Sequence, residues 1–133
     1  MMIKFMVGYN DSPASQRALL LAAKAARGSA DAVVYVVASL ETGSENAMAD
    51  TAYLDEKLQS AKDYLKKEKV ACEIHLLNRG LGPGEDLVKF ATENDVAHIF
   101  LGIEKKSRTK KIFLGSTAQF VILRGPCPVT TTK

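Results

Sequence analysis

Apolar residues fall along the chain in short unbroken runs, separated by longer stretches in which they recur every three or four positions. "IKFMVGY" (Ile3 to Tyr9) and "DAVVYVVASL" are nearly continuous apolar runs, the pattern of strands covered on both faces of a parallel sheet. Between them, "NDSPASQRALLLAAKAARG" places Ala18, Leu21, Ala22 and Ala25 at helical spacing. Ser12 is suited to cap that helix, Pro13 to its first turn and Gly28 to its stop. After a polar opening, "ETGSENAMADTAYLDEKLQSAKDYLKKEK" carries Leu54, Leu58, Ala61 and Leu65 on one helical face. "VACEIHLL" alternates, with Val70, Cys72, Ile74 and Leu76 opposed to Glu73 and His75, which predicts a strand near the sheet edge. "GPGEDLVKFATEND" predicts a helix with Leu87, Val88 and Ala91 inward; "VAHIFLG", "STAQFVILRG" and "CPVTTTK" predict a strand, a helix and a last short strand.

Strand and helix therefore alternate through residues 1–133, as one domain without linker, repeat or low-complexity tract. Such alternation implies an α/β fold with a doubly wound, five-stranded parallel sheet, Rossmann-like, with helices on both faces; 3-2-1-4-5 is the strand order expected here. In sheets of this kind ligands bind beyond the carboxyl ends of the strands, where the order reverses. Here that is between strands one and four. The loops "GYNDS" and "GIEKK" leave those two strands, so Asn10, Asp11 and Gly102 are nominated by topology alone.

Composition changes this picture little. The 133 residues are 47% hydrophobic and 25% charged, ordinary for a globular domain. No apolar run is long enough to span a bilayer, and "MMIKFMVGYND" has no small-residue cleavage site, so the cytoplasm is the expected compartment. Cys72 and Cys127 lack CxxC spacing and are expected to be buried, reduced thiols. Net charge is only +3. Its placement matters more: in "FLGIEKKSRTKKIFLGSTAQFV" the cations Lys105, Lys106, Arg108, Lys110 and Lys111 stand together without an acid among them.

Two accounts fit that stretch. As a phosphate cradle, Gly102 and Gly115 allow close backbone approach, Ser116 and Thr117 open a helix whose free N–H groups attract anions, and the cations add positive potential. As plain structure, Gly102 turns the chain, Gly115 and Ser116 cap a helix, and the cations form a solvated loop. No aromatic residue interleaves with the cations, which argues against a nucleic-acid platform. "GLGPGE" has Glu85 where a dinucleotide fingerprint needs its third glycine, and reads as a turn and helix start; no P-loop motif occurs. His75 and His98 lack partners at ligand spacing and read as structural, and no catalytic or metal-binding constellation is evident.

The chain resembles the universal stress protein family over essentially its whole length. "GYNDSPASQRAL" is similar to that family's first strand-to-helix segment, and "RGLGPGEDLVKFATENDVAHIFLG" to its G-x-P-x-x-x-I segment with the helix and strand that follow. "GSTAQFVILRGPCPV" matches its ending most closely, with Gly115, Ser116, Val121, Cys127, Pro128 and Val129 in register. ATP-binding members carry G-x2-G-x9-G-(S/T); here Gly102, Gly115 and Ser116 match and Lys105 replaces the second glycine. Asn10 stands where the family has an acid after the first strand. Lys105 cannot adopt a glycine-only conformation, but its ammonium can pair with a phosphate as a point charge.

The resemblance implies a regulatory protein that binds ATP or AMP, with or without Mg, between strands one and four. Gly102, Lys105, Gly115, Ser116 and Thr117 would meet phosphate and ribose, Asn10 and Asp11 would line the first loop, and the backbone from Val36 to Ala38 would meet the base. It also implies a homodimer through the last strand, Val129 to Thr132. The same fold also suits a dimeric interaction protein that binds no nucleotide, since the family includes both. Slow ATP hydrolysis would need a water-activating group that the sequence does not identify.

Overall fold

β1 (Ile3–Gly8) is the centre on which the sheet is built. It pairs in parallel with β2 (Ala32–Ser39) on one side and with β4 (His98–Gly102) on the other. β3 (Cys72–Leu77) adds beyond β2 and β5 (Val129–Thr132) beyond β4, which gives the order β3-β2-β1-β4-β5 expected from the sequence. The computed structural model describes residues 2–40, 47–104 and 114–133. Its helices are α1 (Pro13–Arg27), α2 (Ala47–Lys67), α3 (Pro83–Glu93) and α4 (Ser116–Arg124).

The strand pleat sends alternate residues to opposite faces. Val34, Val36 and Ala38 of β2 pack with Val7 of β1 under α1 and α2, where Ala22, Leu58 and Leu65 are buried. Val33, Tyr35 and Val37 join Met6, Ile99 and Leu101 on the other face, under Leu87 and Phe90 of α3 and Val121 of α4. Both faces are covered, so the strands need no polar alternation.

α1 begins as its sequence indicates. Ser12 is the N-cap, its side chain accepting from the Ser15 N–H at 3.1 Å, and Gly28 is the C-cap. Its buried face differs from the expected Ala18, Leu21, Ala22 and Ala25. Ala14, Ser15, Ala18, Leu19, Ala22, Ala23 and Ala26 are buried, whereas Leu21 is 38% exposed. The face of small residues wins because it lets the helix lie close to the sheet. A row of leucines there would hold it off.

Cys72 and Cys127 are half-buried rather than buried, and both are free. Cys72 packs on the α1/α2 face and Cys127 on the α3/α4 face, with the sheet between them. Partial desolvation raises both thiol pKa values, as it does for thiols that pack rather than react. His98 stacks on Phe100 at 4.6 Å and has its Nε2 2.6 Å from the Thr130 hydroxyl. In "GLGPGE", Gly82 is the N-cap of α3, and a Cβ on Gly84 would sit 2.8 Å from Phe120 Cβ, so that segment serves helix start and α3–α4 packing.

Candidate functional site

Where β1, β2 and β4 end, the chain leaves a cavity of about 480 Å³. Tyr9 and Asn10 line it from the end of β1, Val37 and Ser39 from β2, and Gly102 to Glu104 from β4. Pro83 and Leu87 of α3 form an apolar wall, and Gly115, Thr117 and Ala118 bring the start of α4 to its rim. The β1 and β4 loops, distant in sequence, meet there as the topology requires.

Of the nominated residues, Asn10, Gly102, Gly115 and Thr117 line the cavity. Ser116 is the exposed first residue of α4 beside it. Val36 is fully buried on the opposite face of β2, and Val37 is the neighbour that lines the cavity. Lys105 lies outside the described residues, as do Lys106, Arg108, Lys110 and Lys111.

The glycines differ in what they do. A Cβ on Gly102 would lie 2.3 Å from the Ala14 carbonyl carbon and 2.4 Å from the Ser15 nitrogen. Gly102 is therefore the place where β4 and the start of α1 touch backbone to backbone. Among the described residues Gly115 meets no such neighbour within 4 Å, and its φ of −63° and ψ of 162° suit any residue. It caps α4 without a side-chain hydrogen bond. The N–H groups of Ser116, Thr117 and Ala118 belong to the first turn, which has no acceptors of its own within the helix.

Asn10 is engaged within its own loop. Its side-chain oxygen accepts from the Ser12 N–H at 3.1 Å, and its backbone N–H donates to Ser15 Oγ at 3.4 Å. Asp11 is not among the lining residues. In a left-handed conformation (φ 62°), its carboxylate accepts from the Tyr9 hydroxyl at 3.2 Å, the Tyr53 hydroxyl at 3.1 Å and Gln16 Nε2 at 3.2 Å. Lys57 Nζ is 3.8 Å away. Asp11 thus ties the β1–α1 loop to α2. Burial, and then the charge of Asp11, push the Tyr9 pKa up to about 12.

Sequence reasoning also missed a polar cluster at the β2 end. Asp86, in the first turn of α3, is 1% exposed. It accepts from Arg79 Nε at 2.6 Å and from Ser39 Oγ at 3.2 Å, while Arg79 Nη1 reaches Glu93 at 2.7 Å. The hydrogen bond from Arg79 holds the Glu93 carboxyl below its usual range. Two signals were present: a serine closing an apolar strand, and an arginine seven residues before an acid that faces inward beside Leu87. Among the described residues, no group of three or more His, Cys, Asp or Glu is arranged to hold a metal ion.

The model of the universal stress protein family matches residues 1–133. A solved universal stress protein from Archaeoglobus fulgidus is 38% identical, with a TM-score of 0.88, over 100% of this chain and 99% of that one. Another from Archaeoglobus fulgidus, in complex with dAMP, is 34% identical with a TM-score of 0.82, covering 100% and 98%. A family protein from Arabidopsis thaliana with AMP bound shares the fold at 17% identity and a TM-score of 0.73, covering 98% and 91%. No match is found among curated proteins.

Three outcomes are expected from this geometry. Gly102→Ala should cost about 1–3 kcal/mol in urea unfolding, because backbone must move to admit the methyl group, whereas Gly115→Ala should leave stability nearly unchanged. For Tyr9, the folded pKa lies above the unfolded value, so stability present below pH 10 should fall as pH rises from 10 towards about 12. Asp11→Asn should lower the Tyr9 midpoint, read by tyrosinate absorbance, but only in part, since burial is the larger cause.

Proposed function

The chain belongs to the universal stress protein family, and on that footing we propose that it is a regulatory protein that binds an adenine nucleotide, ATP or AMP, in the cavity between β1 and β4. The observation that carries this reading is the start of α4. A helix N-terminus without a side-chain cap opens on the cavity behind Gly115, whose backbone angles suit any residue and whose Cβ position meets nothing within 4 Å among the described residues. The space left by the missing side chain suits a phosphate, and the free N–H groups and helix dipole suit its charge. The hydroxyls of Ser116 and Thr117 add donors, and Lys105 adds a point charge in place of the family's second glycine. The base then lies towards Val37 and the apolar wall of Pro83 and Leu87. The relatives in complex with dAMP and with AMP support the same ligand class.

Glu104 also lines the cavity and is exposed. Beside phosphates its carboxylate is unfavourable unless a Mg ion stands between them, so Mg-ATP is the form to test. No histidine or cysteine is among the lining residues, and Tyr9, with its pKa near 12, is a poor base. The reading is of a sensor acting in the stress response in the cytoplasm. No helix among the described residues is long and apolar enough to cross a membrane.

A second reading, a dimeric interaction protein without nucleotide, draws on β5. The carbonyls of Pro128 and Thr132 bond to β4, so at the two-residue period of a strand those of Val129 and Thr131 point outwards. This β-branched edge favours pairing with a second copy through Val129 to Thr132. Leu123 of α4, 78% exposed, adds uncovered apolar surface.

Calorimetric titration with Mg-ATP should give saturable binding, weakened by on the order of tenfold or more in Gly115→Val, whose side chain would enter the phosphate space. A folded protein that binds no ATP up to millimolar concentration would leave only the second reading. Light scattering at micromolar concentration should give a dimer, and Thr131→Pro a monomer, because proline removes an outward N–H without disturbing the bonds to β4. A wild-type monomer would dismiss the edge pairing.

A further inference from the structure

At its β2 end the cavity presents apolar surface and a hydroxyl. Val37, Pro83 and Leu87 supply the apolar surface, and Ser39 supplies the hydroxyl. Behind Ser39 sits the buried Asp86 carboxylate, 3.2 Å from Ser39 Oγ and 2.6 Å from Arg79 Nε. Arg79 is itself fixed, with Nη1 on Glu93 at 2.7 Å and Nη2 on the Asp86 backbone carbonyl at 3.2 Å.

This arrangement has a direction. An ionised carboxylate only accepts hydrogen bonds, so Ser39 must be the donor to Asp86. A hydroxyl has a single hydrogen, and here it is committed to a group that water does not reach. Towards the cavity Ser39 therefore offers lone pairs alone. Turning the hydrogen to a ligand would break a charge-assisted bond at a buried carboxylate, a large cost for a site of this kind. The free N–H groups at α4 suit the phosphates, which leaves the ring to this end.

We propose that Ser39, oriented by Asp86, is the specificity-determining residue of the site, accepting a hydrogen bond from the exocyclic amine of a 6-aminopurine and disfavouring a 6-oxopurine. This rests on the nucleotide-binding reading above and deepens it. A 6-amino group presents N–H to the free lone pairs, and apolar walls suit the faces of the ring. A 6-oxo group presents a lone pair to a lone pair. Discrimination by a site whose polar group is left unmatched is stronger than discrimination by shape. Asp86 acts through Ser39 and is a positioning residue.

The test compares ATP with ITP, which differ at this one position and in the adjacent ring proton, by calorimetry on the full chain with Mg. The wild type should prefer ATP by about tenfold to a hundredfold. In Ser39→Ala that ratio should shrink to within about threefold, with a lowered melting temperature, because the ligand loses its acceptor and the Asp86 carboxylate loses a donor. Asp86→Asn, whose amide can donate to Ser39 and so free its hydrogen for the ligand, should move the ratio towards ITP. Gly115→Val, at the phosphate end, should weaken both nucleotides and leave the ratio alone. Equal affinities in the wild type, or a preference that survives in Ser39→Ala, would overturn the assignment while nucleotide binding itself stands. Binding of neither nucleotide would overturn both.

Discussion

The close approach between Gly102 and the first turn of α1 is the constraint on which the site depends. Strand β4 and helix α1 meet there backbone to backbone, with no room for a methyl group between them. That contact sets where α1 begins, and the alanine face of the helix follows from it, since small residues must continue what the glycine starts. It also brings Ser15 and the Asn10 turn against the end of β4, closing one side of the cavity. Asp11 secures the same loop from outside by joining Tyr9 to Tyr53 and Lys57 of α2.

The two matched glycines of the phosphate motif therefore have different physical meanings. Gly102 is explained by the protein's own packing. Gly115 is not explained by packing among the described residues, which leaves the space beside it open to a ligand. Around it the polar groups are sorted along the cavity: free backbone donors at α4, and a buried carboxylate behind a hydroxyl at β2. A ligand that is anionic at one end and a flat heterocycle at the other matches that order, and the family's nucleotide-bound relatives are consistent with it.

Much of this was legible in the chain, for reasons specific to each element. The strands announce themselves because both faces of a parallel sheet are covered, and the alternation of strand and helix implies a doubly wound parallel sheet. Ser12, Pro13 and Gly28 marked the ends of α1 because capping chemistry is local. Three features were hidden. Leu21 looked inward because apolar periodicity cannot say that a helix will choose its small face. Val36 and Val37 could not be told apart, since a strand that is apolar on both faces carries no parity signal. Asp11 was read as a lining residue, and only the left-handed turn at that position directs it towards α2. The Asp86, Arg79 and Ser39 cluster joins three segments, so the serine that closes β2 and the arginine seven residues before an acid do not, taken singly, show that they meet.

The measurement closest to the central claim is the set of backbone amide shifts on adding Mg-ATP to labelled protein. The account predicts saturable shifts at Ser116, Thr117 and Ala118 on one side of the cavity and at Val37 and Ser39 on the other, both following a single binding constant. Shifts confined to the β5 edge, or none at all, would contradict it.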